Sequence, residues 1–126
     1  MTEAVTPAEW ILDQLAEALI YADRQGIIRR WNTASEHMFG HERAHALGQS
    51  LDLIIPEHLR EAHWRGFHAA VASGRTRLQG RPTLTRAVHR NGDRLYVEMS
   101  FALVLDPAGA VAGSVAVARE AERNRR

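Results

Sequence analysis

With 126 residues, 45% of them hydrophobic, the chain has the size of one ordinary globular domain and can bury a core without crosslinks. Its formal net charge of +1, with sixteen arginines and no lysine, lacks the concentrated basic excess of a duplex-binding surface, so no nucleic-acid partner is expected. The absence of cysteine excludes disulfides, thiolate metal sites and cysteine nucleophiles, and no apolar run approaches the ~20 residues of a membrane span.

The opening Met1-Thr2-Glu3-Ala4 has neither the basic nor the apolar region of a secretion signal, so the cytoplasm is the expected location. Thr6, Pro7 and Glu9 form a capping-box pattern that predicts a first helix through roughly Ala16, with Trp10, Ile11, Leu12 and Leu15 on its apolar side. Leu19 to Ala22 is a strand, Asp23-Arg24-Gln25-Gly26 a turn, and Ile27 to Trp31 the second strand of a hairpin. Asn32 and Thr33 cap a short helix carrying Ala34, Met38 and Phe39 inward and ending at Gly40. His41 to Leu47 is another short helical turn, stopped by Gly48. His37, His41 and His45 are spaced by four, but no acidic or cysteine partner is organised around them, which argues against a metal site.

After the mostly apolar Leu51 to Ile55 comes the stretch around which the chain is organised, Ile54 to Gly74. Pro56 suits a helix start and Gly74 a helix end, which frames about four turns. Leu59, His63, Phe67, Ala70 and Val71 recur at intervals of three and four, so one face is apolar with His63 in its middle. Arg60, Glu61, Arg65 and His68 fall to the sides or back. His63 is therefore either a ligand to something or a core histidine.

The remainder is β. Leu78 to His89 is extended, Asn91-Gly92 is a two-residue hairpin signal, and Leu95, Val97, Met99, Phe101 and Leu103 alternate with Tyr96, Glu98, Ser100 and Ala102. Asp106-Pro107-Ala108-Gly109 is a turn, and Val111, Gly113, Val115 and Val117 alternate in a last strand. The expected class is α+β, a five-stranded antiparallel sheet with short helices and one long helix across one face. Residues 1–17 form an N-terminal helix for capping or dimerisation, 18–119 the domain proper, and 120–126 a C-terminal tail or linker containing Arg123, Arg125 and Arg126. No carboxylate pair, nucleophile motif or phosphate-binding glycine loop is present, so no enzymatic activity is expected.

From about Trp10 to Glu120 the sequence resembles the PAS sensory-domain family. The resemblance is carried by Tyr21-Ala22-Asp23-Arg24-Gln25-Gly26-Ile27-Ile28 leading to Trp31-Asn32, by Met38-Phe39-Gly40-His41 and Leu47-Gly48, and by the Arg90-Asn91-Gly92-Asp93 turn. It implies the PAS fold, a sensor module with a cavity between sheet and helices, a homodimer, and coupling to an effector domain or partner protein.

Within the family, Pro56 to His63 looks like the heme-binding branch, which senses oxygen and other gases. That likeness implies heme b on His63, lined by Leu59 and Phe67, with Gly80-Arg81 supplying a guanidinium that donates to a bound diatomic gas, dioxygen first and carbon monoxide or nitric oxide next. Met99 and Phe101 would line the gas side, and His68, Arg75 or Arg77 would hold the propionates. A flavin is disfavoured, since the cysteine of the photochemical type is missing. The alternative is a PAS module without heme, which binds another small ligand or dimerises through Trp10, Ile11 and Leu15.

Overall fold

The computed structural model describes residues 7–76 and 80–121. Alternating burial along Ala18–Asp23 (β1) puts Ala18, Ile20 and Ala22 on one face, and the strand pairs antiparallel with Ile28–Trp31 (β2). Thr83–Val88 (β3), Arg94–Leu105 (β4) and Val111–Glu120 (β5) complete a five-stranded sheet in the order β2-β1-β5-β4-β3, antiparallel throughout. The last strand thus lies in the middle beside the first. Between β2 and β3 run the helices Thr33–Phe39 (α2), Arg43–Ala46 (α3) and Arg60–Ser73 (α4). The core joins Ile20, Ile28 and Val97 of the sheet to Trp31, Phe39 and Phe67. The class expected from the sequence, α+β with one long helix against the sheet, is the one observed.

Asn32 ties the N-terminal half together because its buried amide uses every polar atom. Its Oδ1 accepts from the Leu19 N–H (2.9 Å) and the Ser35 N–H (3.1 Å), and its Nδ2 donates to the Leu12 (2.8 Å) and Glu17 (3.1 Å) carbonyls. The Leu12 contact is one of the few that hold the first helix, Ala8–Gln14 (α1), which buries none of its residues. The Thr33 N–H also donates to Asp13 Oδ1 (3.1 Å), and two ion pairs join Arg30 with Glu9 and Arg43 with Asp13. Trp10, Ile11 and Leu15 remain exposed, at 64%, 54% and 42%. The helix stops at Gln14 rather than Ala16, because Leu15 turns to extended geometry. Thr6 of the expected capping box lies outside the described residues, and the Glu9 carboxylate goes to Arg30.

The organising helix also starts later than its sequence frame. Ile55 is extended, as a residue before proline is biased to be, and so is Pro56. The stretch therefore breaks into two short 3₁₀ turns, Leu51–Ile54 and Glu57–Leu59, before α4 begins at Arg60. Strand β3 is shorter than the expected 78–89. Gly80 adopts φ +79°, Pro82 lacks an N–H, and Leu78 and Gln79 lie outside the described residues.

The following hairpin is a three-residue loop, not a two-residue one. The His89 N–H reaches the Asp93 carbonyl (2.9 Å), the Gly92 N–H reaches the His89 carbonyl (2.8 Å), and Gly92 sits at φ +93°. In β5, Ser114, Ala116 and Ala118 face the helices, so Val115 and Val117 fall on the opposite side of the sheet.

Candidate functional site

Between α4 and the sheet lies a cavity of about 600 Å³ with a mainly apolar lining. Such a volume falls within the ~300–1,000 Å³ range of cofactor and ligand pockets. Small residues make the space on both walls. Ala62, Gly66 and Ala70 succeed one another at four-residue intervals on α4, facing Ala22, Ser114 and Ala116 of the sheet.

Six of the seven candidate residues named from the sequence line this cavity: Leu59, His63 and Phe67 from the helical side, Met99 and Phe101 from β4, and Arg81 ahead of β3. Arg81 is exposed at the mouth. The seventh, Arg77, lies outside the described residues. His68 and Arg75 do not line the cavity, and both are exposed. The cavity's second arginine is Arg86 of β3. Sequence reasoning missed it, along with Thr83, Thr85 and Ser114, because residues of an edge strand and of a valine-rich strand carry no periodic signal for what their polar members face.

His63 is placed by its neighbours. Its ring meets Trp64 edge-on (centroids 4.7 Å, 78°) and lies 6.0 Å from Phe67, which in turn meets Phe101 across the cavity at 6.4 Å. The Trp64 indole N–H donates to Asp52 Oδ1 at 2.7 Å, and its ring packs on the backbone of Gly26. A Cβ at position 26 would lie 2.2 Å from that ring.

Burial pushes the imidazole below its ordinary pKa, the nearby His68 adds to this, and the Asp52 carboxylate opposes it. The neutral form, with one lone pair and one N–H, is therefore favoured near neutral pH. Nδ1 is buried and has no hydrogen-bond partner among the described residues. Leaving such a nitrogen unpaired costs about 1–3 kcal/mol, so the site as folded lacks one polar contact. A neutral imidazole in a mainly apolar cavity, with Arg81 exposed at the mouth, fits a metal cofactor bearing carboxylates.

Residues 12–126 match the family described as PAS fold. The chain belongs to the PAS family. Over 53 residues, 42% of this chain and 10% of the relative, the PAS domain is 38% identical to the sensor protein FixL of Bradyrhizobium diazoefficiens. Over 108 residues, 82% of this chain and 14% of the relative, it is 24% identical to the oxygen sensor protein DosP of Escherichia coli. It therefore spans about a tenth to a seventh of the length of these relatives. The PAS domain of a Colwellia psychrerythraea protein superposes with a TM-score of 0.79 at 20% identity, covering 92% of this chain and 95% of that one, a likeness that shows the fold alone.

His41 and His45 make a different cluster. His41 is 8% exposed, stacks on His45 (5.3 Å, 18°), and has its own Nδ1 buried without a partner. Among the described residues no group of three or more histidine or carboxylate side chains is arranged to hold a metal ion. No described helix is long and apolar enough to cross a membrane.

Proposed function

We propose that this PAS domain binds heme b through His63 and responds to a diatomic gas, dioxygen first and carbon monoxide or nitric oxide next. One observation carries the reading: a histidine held neutral by burial faces an apolar cavity of about 600 Å³ with its Nδ1 left without a protein partner. The similarity to an oxygen sensor protein over 82% of the chain supports it. When bound, heme supplies an iron centre able to take up such a gas.

The chain's own residues do the rest. His63 offers its lone pair from α4, and Leu59, Phe67 and Ala70 exclude water around it. Met99 and Phe101 shape the opposite wall, where a gas of restricted size is admitted. Arg81, at the mouth, offers a guanidinium donor to carboxylates or to the gas. Displacement of β4 and β5 reaches a second copy through the exposed Trp10, Ile11 and Leu15, or an effector domain or partner protein, in the cytoplasm.

The test is an absorption spectrum of the protein expressed with heme available, beside a His63→Ala variant. An intense Soret band that shifts on reduction and with carbon monoxide, and is lost or strongly altered in the variant, is the expected result. A colourless wild type, unchanged by added hemin, would leave a PAS module that serves another ligand or dimerisation.

A further inference from the structure

Ser114 is the polar member of an otherwise apolar floor. On the three strands β1, β5 and β4 the cavity is bounded by Ile20, Ala22, Ala116, Met99, Phe101 and Ser114. The serine is 3% exposed, and among the described residues its hydroxyl has no hydrogen-bond partner. The hydroxyl keeps accessible surface on the cavity side, so whatever fills the cavity, water or ligand, meets a free O–H there.

Register puts this hydroxyl opposite His63. Phe67 of α4 meets Phe101, which pairs with Ala116 of β5, itself paired with Ile20 of β1. Trp64, three residues before Phe67, packs on Gly26, beyond the end of β1. His63, one turn ahead of Phe67, therefore overlies the next row of the sheet, where Ala22 pairs with Ser114. Gly113 keeps that register, since a Cβ there would lie 2.2 Å from the Ala22 carbonyl oxygen and 2.7 Å from the Tyr21 hydroxyl. With Gly113 accommodating Tyr21 outside, its successor points inward.

We propose that Ser114 is the hydrogen-bond donor that meets a small ligand held across the cavity from His63, its O–H directed at the partly negative outer atom of a diatomic gas. This deepens the heme reading and rests on it. Arg81 differs in place: it precedes β3, lies toward the edge of the sheet and is exposed at the mouth. Ser114 lies on the central strand, in the floor of the cavity.

The experiment uses the hemin-loaded, reduced protein with carbon monoxide as probe, in wild type, Ser114→Ala, Ser114→Thr and Arg81→Ala. The C–O stretching band in the infrared, in water and in heavy water, reports donation to the ligand. The expected result is a deuterium-sensitive band that moves to higher frequency in Ser114→Ala, is largely kept in Ser114→Thr and persists in Arg81→Ala. Dioxygen dissociation should quicken about five- to tenfold in Ser114→Ala, the worth of one hydrogen bond. A band that is insensitive to deuterium in the wild type, or unchanged in Ser114→Ala beside a normal Soret band, overturns the assignment and leaves heme binding intact. A wild type that takes up no hemin removes the heme reading, and this assignment with it.

Discussion

Gly26→Ala tests whether the β1–β2 turn supports the cavity through Trp64. The glycine sits at φ +77°, where an alanine costs about 1–2 kcal/mol. The added Cβ would also fall 2.2 and 2.3 Å from two carbons of the Trp64 ring, so the indole must move. Moving it stretches or breaks the 2.7 Å bond to Asp52, worth ~1 kcal/mol at this half-exposed site. It also loosens the edge contact with Phe67 at 5.2 Å, worth ~0.5–1 kcal/mol. The expected loss is about 2.5–4 kcal/mol of unfolding free energy, read from urea denaturation followed by fluorescence. Repeating the substitution in a Trp64→Ala background removes the collision and leaves the backbone cost of about 1–2 kcal/mol. Because Trp64 abuts His63, Gly26→Ala should also weaken hemin uptake. Equal costs in the two backgrounds would refute the reasoning, since the backbone alone would then explain the effect.

Acidity should weaken the fold through its two buried histidines. Burial first, and then neighbouring positive groups, hold His63 and His41 below the ordinary imidazole value when folded: His68 beside the former, and His45, Arg90 and His89 beside the latter. Both return to about 6.5 on unfolding, so the unfolded chain binds more protons as the pH falls. Stability is then full above about pH 6.5 and is lost as the pH drops through the folded values, a slope that His63→Phe should reduce in urea midpoints. An unchanged slope in that variant would assign the effect elsewhere. Trp10→Ser with Ile11→Ser should turn a dimer into a monomer in sedimentation equilibrium while leaving thermal stability nearly unaltered, because α1 buries none of its residues. A wild type that stays monomeric at every concentration would remove the homodimer.

Much of this architecture is written locally. Asn32 followed by a helix and Gly40, the Asp23 turn and the alternation along β4 are signals in which the side chain acts on its own backbone or on the next turn, so the sequence displays them. His63 was legible for the same reason, since a histidine within an i, i+4 apolar series reports its own face. Where the chain turns before α4, the proline signal competed with the pre-proline bias, and the bias moved the helix start from Pro56 to Arg60. Beyond Met99 and Phe101, the sheet side of the cavity was not legible, because Ser114 and the β3 residues join its lining only through pairing between strands distant in sequence. His68, five residues further along α4, does not line the cavity and stacks on Trp64 instead (5.7 Å, 27°).

Strand β5 shows why its inward face was not legible. Its conspicuous residues, Val115 and Val117, invite the core, yet the core side takes Ser114, Ala116 and Ala118 because a cavity needs small side chains to leave room between sheet and helix. The valines then stand on the far face, in register with Tyr21 and Leu19 of β1 and with Ala102 and Ser100 of β4. A strand whose successive residues alternate between a ligand cavity and a half-buried outer surface is rigid along the chain and thin across it. A push on Ser114 or Ala116 from within is expected to reach the valines beside them, which are their direct neighbours along the strand. Occupation of the cavity can thus be felt on the outer face without any change of fold, and the small inward side chains that obscured the site are what make the wall thin enough to transmit it.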